Sequence, residues 1–173
     1  MKINSFRAGR LRKLARSIAG RFPNQYLLGS RVYIRSPKRK DWKEWVALRR
    51  NSYKFLKEWE PFWDLSDCNR TSYMRQLKMQ KIKSANDQGY SFLCFDIEDN
   101  TLLGGINISN VQRGIMQTAN IGYWLGEKHT KKGYMIESLE IIFPFLYISK
   151  NKSYLTNIIL LVIDVSSLVK LYI

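Results

Sequence analysis

An apolar strand pattern that runs through a lysine-rich, glycine-containing turn straight into a helix pattern constrains this chain more than any other feature: GYWLGEKHTKKGYMIESL, Gly122 to Leu139. Backbone N–H groups in the first turn of a helix have no intrahelical partner, and with the positive end of the helix dipole they form a ready anion site. Gly133 permits a turn conformation, or a close approach, that a side chain would block. Lys131 and Lys132 add positive charge beside those amides. Met135, Ile136, Leu139, Ile142 and Phe143 recur at helical spacing behind them, so the helix docks on a sheet with its N-terminus free. A solvated loop in front of a helix has a similar composition, and one glycine does not separate the two readings.

Upstream, TLLGGINISNV (Thr101 to Val111) alternates as a strand, Gln112 to Gly114 reads as a turn, and TANIGYWLG (Thr118 to Gly126) reads as a second strand. The order is hairpin, basic turn, helix. This resembles the GNAT family of acetyl-CoA-dependent N-acetyltransferases, whose signature turn reads Gln or Arg, two residues, Gly, one residue, then Gly, Ala or, in one branch, Met. Here that turn is Thr130-Lys131-Lys132-Gly133-Tyr134-Met135. FLKEWEP (Phe55 to Pro61), GGINISNVQRG (Gly104 to Gly114) and IGYWLGEKHTKKGYM (Ile121 to Met135) are similar to the RimJ-type branch, the ribosomal-protein-alanine N-acetyltransferases. The resemblance covers residues 30 to 147.

The resemblance implies an α+β (α/β) fold, the GNAT acyl-CoA N-acyltransferase fold: a central, mostly antiparallel mixed sheet flanked by helices. It implies acetyl-CoA as cosubstrate, no metal, direct transfer to the N-terminal amine of a ribosomal protein, N-terminal alanine in particular, and a cytoplasmic location. The implied cofactor-binding residues are Thr130, Lys131, Lys132, Gly133, Tyr134 and Met135 in the turn. Trp124 and Leu125 join them on a strand that in the family splays from its neighbour to hold the pantetheine arm. Two residues depart from the pattern. Thr130 replaces the usual Gln or Arg, and Lys131 replaces a residue that is commonly Gly in this branch. A lysine can still place its backbone N–H toward a phosphate if its conformation is not left-handed, and its ammonium neutralises phosphate charge. Weakened rather than abolished acetyl-CoA binding is the expectation.

Three segments follow: a basic amphipathic extension (1–22), the acetyltransferase domain (30–147) and a divergent tail (148–173). Residues 1–22 contain no acid and place Leu11, Leu14, Ala15, Ile18, Ala19 and Phe22 on one helical stripe, with arginines opposite. Such a segment grips RNA, lies on a membrane surface, or packs loosely on the domain. Residues 1–50 hold 15 Lys and Arg against Asp41 and Glu44 alone, which accounts for nearly all of the net charge of +15. That asymmetry points to a polyanionic partner, and contact of residues 1–50 with RNA or the ribosome is compatible with it. A catalytically inactive remnant acting as a basic RNA- or ribosome-binding domain is therefore the alternative to the enzyme.

In the branch, the helix after the turn leads to a further strand, a helix with a cofactor-contacting asparagine, and closing strands with a glycine-phenylalanine corner. ISKNKSYLTNIILLVIDVSSLVKLYI, from Ile148, matches none of these residue by residue. The tail is either a divergent strand that completes the sheet beside Tyr123 or the product of a shifted reading frame. The abrupt end of the similarity near Tyr147 favours the second. Ile158 to Ile163 is too short to span a membrane, and no transmembrane segment is expected.

Elsewhere, Arg31 to Arg35 reads as a first strand, Lys40 to Tyr53 and Arg70 to Asn86 as helices, and Tyr90 to Glu98 as a strand closed by a turn at Asp99-Asn100. Trp42, Trp45, Val46 and Leu48 to Arg49 form the apolar side of the first helix, and Tyr73, Leu77, Met79 and Ile82 that of the second. Phe55 to Trp63 then lines an acceptor groove in the family, where Glu58 and Glu60 receive a cationic peptide N-terminus, although so aromatic a run also suits plain core packing. Glu60, Asn107 and Ser109 are the candidates for substrate contact. Asn110 reads as hydrogen bonding at a strand end. An α-amino group, with pKa about 7.7 to 8.0, demands little of a general base, and no catalytic acid or base is identifiable. His129 reads as a lone exposed histidine, and Cys68 and Cys94 as free thiols, the first in a polar loop.

Overall fold

The computed structural model describes residues 26–60, 64–112, 118–148 and 157–162. The basic segment 1–22, the end of the aromatic run at 61–63 and the turn at 113–117 lie outside them. Six strands form one sheet in chain order: β1 (Leu27–Leu28), β2 (Val32–Arg35), β3 (Gly89–Asp96), β4 (Leu102–Gln112), β5 (Thr118–Leu125) and β6 (Asn157–Val162). The first five are antiparallel neighbours. β6 runs parallel to β5, from Asn157 opposite Thr118 to Val162 opposite Tyr123. Residues 157–162 of the tail thus form a strand beside β5 that reaches Tyr123, and the rest of the tail beyond Ile148 lies outside the described residues.

Strand alternation sorts side chains onto two faces. One carries Val32, Ile34, Phe92, Cys94, Ile106, Ile108, Ala119, Ile121, Tyr123 and Leu125, all buried, against Met135, Leu139 and Ile142 of helix α4 (Tyr134–Ile148). The other carries Leu93, Phe95, Leu102 and Trp124. Against these pack Trp45 and Leu48 of α1 (Trp42–Asn51), Leu56 of α2 (Tyr53–Lys57), and Tyr73 and Leu77 of α3 (Arg70–Ala85). The expected mixed sheet with flanking helices is therefore present, with two separate apolar layers.

Several local expectations need correction. Ser52 breaks the single helix expected over Lys40 to Tyr53: its N–H bonds back to both Leu48 and Arg49, and its hydroxyl takes the Glu127 N–H at 3.0 Å. Met79 and Ile82, assigned to the buried face of α3, are 50% and 45% exposed. The helix docks through Tyr73 and Leu77 instead, at the narrower four-residue spacing. Cys68 is fully buried despite its polar neighbours, and both cysteines are free. Asn110 occupies a bulge: Ser109 pairs with Asn120 and Gln112 with Thr118, so β4 carries one extra residue there, and Asn110 takes φ +52°. Among the described residues no helix is long and apolar enough to cross a membrane, and no cluster of His, Cys, Asp or Glu is placed to hold a metal.

Candidate active site

Two constructions stand at the sheet, and they use different chemistry. The first is the turn between β5 and α4. After β5 the chain makes a single 3-10 turn, Glu127–His129, and Thr130 continues extended with its hydroxyl on the Glu127 carbonyl at 2.8 Å. Lys131 then takes φ +59° and Gly133 φ +79°. Both are left-handed, which glycine adopts freely and lysine at a cost of roughly 1–2 kcal/mol. The condition set on Lys131 by its sequence thus goes the unfavourable way: it fills a position suited to the glycine that the resemblance places there. The first intrahelical bond of α4 runs from the Glu137 N–H to the Gly133 carbonyl at 3.2 Å. The N–H groups of Tyr134, Met135 and Ile136 precede it and point out of the helix end.

Arg31 and Glu137 fix this turn to β2. The Glu137 carboxylate accepts the backbone N–H groups of Ser30 and Arg31, each at 2.6 Å, and the Arg31 Nε at 3.0 Å. Burial pulls this carboxyl upward, but those bonds and the guanidinium outweigh it and hold its pKa below the ordinary value. The Arg31 Nη1 donates to the Lys132 carbonyl at 3.1 Å. His129, expected to be exposed, is instead 8% exposed, and its Nε2 has no hydrogen-bond partner among the described residues. Burial, then the charges of Lys128 and Lys132, depress its pKa and keep the imidazole neutral.

The second construction is a cavity of about 270 Å³ on the other side of β5, between the sheet, α1 and α3. Register builds its floor. Ser91 stands opposite Asn107, and the next row toward the end of β5 is Leu93, Gly105 and Trp124. A Cβ on Gly105 would lie 2.8 Å from the Trp124 Nε1, so the absence of a side chain there lets the indole lie across β4. Arg49, on the apolar side of α1, lies between two rings, 5.4 Å from that of Trp45 and 5.0 Å from that of Trp124. Its guanidinium pairs with Glu60, which the last turn of α2 presents through its N–H bond to the Leu56 carbonyl at 2.8 Å. Gln76 and Gln80 of α3 complete the polar rim.

The candidates named from sequence separate accordingly. Glu60, Asn107 and Trp124 meet in the cavity. Ser109 lies one pair further along, opposite Gly89 and Asn120, and does not line it. Thr130 to Met135 form the turn. Trp124 and Leu125 project to opposite faces, Leu125 into the layer against α4. The Gly126 N–H bonds to the Leu103 carbonyl at 2.9 Å, so in the alternating ladder Leu125 directs its backbone groups away from β4. The pairing with β6 runs as far as Tyr123, which confines any opening between these strands to residues beyond it. Arg49 and Arg31 were not among the candidates. A charged residue on the apolar stripe of a helix signals the first, since it needs a buried partner. Nothing local signals the second, because its partners lie about a hundred residues away in the chain.

The comparisons with known proteins fit this frame. The acetyltransferase (GNAT) domain matches residues 31–160. The chain belongs to the GNAT family. The GNAT match runs past the basic turn and into β6. A relative in Escherichia coli (strain K12), the [ribosomal protein uS5]-alanine N-acetyltransferase, is 38% identical over 87 residues, 49% of this chain and 44% of its own length. The chain thus matches less than half of that GNAT relative. Among solved structures, the ribosomal-protein-S5-alanine acetyltransferase of Vibrio fischeri superposes with a TM-score of 0.65 at 16% identity, covering 72% of this chain and 68% of the other. The Mycobacterium smegmatis RimJ in complex with CoA-disulfide gives 0.60 at 23% identity, covering 69% and 57%. At these identities the two structures speak for the fold.

Proposed function

We propose that this chain transfers an acetyl group from acetyl-CoA to the N-terminal amine of a ribosomal protein, with an N-terminal alanine as the preferred acceptor, in the cytoplasm. The observation that carries the reading is the turn Thr130 to Met135 in a GNAT chain: outward N–H groups at a helix start, flanked by two lysines and fixed by Arg31. The N–H groups of Tyr134, Met135 and Ile136 suit the pyrophosphate, with the ammonium groups of Lys131 and Lys132 beside them. Acetyl-CoA supplies an activated acetyl thioester. The backbone of Leu125 and the ring of Trp124 suit the neighbouring pantetheine arm.

The cavity suits the acceptor. Among the described residues its charged lining is Arg49 and Glu60, which neutralise one another, so it suits a short polar segment rather than trapping any cation. Glu60 therefore acts less as a bare anionic receptor than its sequence suggests. Asn107 and the partly shielded carboxylate of Glu60 offer hydrogen bonds to an amine that is already in part neutral at physiological pH.

Calorimetric titration with acetyl-CoA, followed by mass spectrometry of a peptide beginning with alanine and of its N-terminally blocked twin, tests this. Micromolar binding and acetylation of the unblocked peptide alone are expected. A folded sample that binds no acetyl-CoA refutes the reading.

A further inference from the structure

The anion-binding turn holds a conformation that its own sequence disfavours. Lys131 and Gly133 are both left-handed, one on each side of Lys132, and only the glycine adopts that conformation without strain. An isolated turn of this composition would relax. Contacts from elsewhere must over-determine it, and among the described residues the side chain that reaches the carbonyl between the two left-handed residues is Arg31.

Arg31 meets the turn and the helix through two donors and the face of its guanidinium. Its Nε meets Glu137 at 3.0 Å, its Nη1 meets the Lys132 carbonyl at 3.1 Å, and its plane lies 5.1 Å from the centre of the Tyr134 ring. Its Nη2 comes within 3.3 Å of the place a Cβ on Gly133 would occupy. Holding the Lys132 carbonyl orients the peptide unit between the two left-handed residues. The same carboxylate that receives Nε sits in the first turn of α4. One fork therefore ties the strained peptide to the helix whose N–H groups bind the anion. A lysine at this position could supply charge but not the two directed donors.

We propose that Arg31 is the positioning residue of the cofactor site: it holds the Lys131–Gly133 turn in its left-handed form and so keeps the α4 N–H groups aligned for the pyrophosphate. The proposal rests on the reading of this turn as the acetyl-CoA site.

The test is calorimetric titration of full-length chain with coenzyme A, for the unaltered protein, Arg31→Gln, Arg31→Lys, Lys131→Gly and the Arg31→Gln, Lys131→Gly double variant, with circular dichroism confirming that each is folded. Arg31→Gln is expected to weaken binding about tenfold, the scale of one lost charge-assisted hydrogen bond. Arg31→Lys should rescue little of it. In the Lys131→Gly background the strain is gone, and the same Arg31→Gln change should cost about threefold or less. A merely structural loss would be equal in both backgrounds. Equal losses, full rescue by lysine, or undiminished affinity in Arg31→Gln would overturn the proposal while leaving the cofactor reading intact. Absence of binding by the unaltered protein would remove both.

Discussion

Around the cavity beside Trp124, the charged groups are matched and enclosed, whereas the turn from Thr130 to Gly133 collects lysines beside a buried imidazole nitrogen that has no partner among the described residues. Side chains set the geometry of the first: Arg49 is fixed by two indoles and Glu60, over a floor that Gly105 leaves open. Backbone sets the geometry of the second, and one remote arginine restrains it. The first region already has its electrostatic balance within the protein. The second has an excess of positive charge that an anion would complete. Matched pairs resist substitution strongly, and unmatched groups respond to what is bound and to pH.

Arg49→Ala attacks the matched region directly. It leaves the Glu60 carboxylate, with 19% of its side chain exposed, facing an emptied space between two indoles. A loss of about 3–5 kcal/mol in denaturant unfolding is expected. Replacing both members of the pair, Arg49→Met with Glu60→Leu, should recover much of that. A loss below about 1 kcal/mol for Arg49→Ala, the size of an exposed ion pair, would erase the contrast between the regions.

Gly105→Ala probes the same region through shape. The added carbon would stand 2.8 Å from the Trp124 Nε1 and 3.1 Å from the Phe92 carbonyl, and the carbonyl belongs to the central strand and cannot yield. Overpacking of about 1–3 kcal/mol in thermal or denaturant unfolding is expected. At Lys131 the sign reverses, because removing a side chain from a left-handed residue relieves strain. A neutral Gly105→Ala would mean that the indole is free to move, so that the cavity is not preformed.

The backbone ladder and the basic turn were legible in the sequence because their signals are local: period-two alternation, a glycine before a helix, and Asp99-Asn100 at a hairpin, where Asn100 indeed takes φ +60°. Burial was less legible. His129 lies among charged neighbours in sequence, yet it is buried, with the Tyr134 ring centred 6.5 Å away. Met79 and Ile82 fit a helical stripe, yet α3 packs on the sheet through Tyr73 and Leu77, with Met74 beside them, and leaves both exposed. Glu60 was found as a carboxylate without its cation, since its pairing with Arg49 depends on how α1 and α2 fold back at Ser52. Arg31 and Glu137 are separated by most of the domain, and only the sheet order unites them.

His129 gives the smallest effect and the most direct measure of the unmatched region. Burial comes first among the causes that lower its pKa, followed by Lys128 and Lys132, while Asp99 and Asp96 oppose them. In the unfolded chain the imidazole returns to about 6.5. As pH falls through that value the unfolded state takes up a proton that the folded state refuses, so stability declines until the folded imidazole itself titrates. The chain has a single histidine, and the carboxyl of Glu137, held low, contributes its own loss only at more acidic pH. Between pH 7 and 5 the decline therefore reports largely on His129. Unfolding midpoints of the unaltered protein should fall across that window, and those of His129→Phe, which keeps a ring beside Tyr134 without a titrating nitrogen, should fall less. A bound anion at the turn would offset the charges of Lys128 and Lys132 and make the imidazole easier to protonate, so saturating coenzyme A should shrink the difference between the two proteins. If coenzyme A leaves it unchanged, the lysines and the imidazole do not share one electrostatic site, and the turn is only a solvated loop above a buried ring.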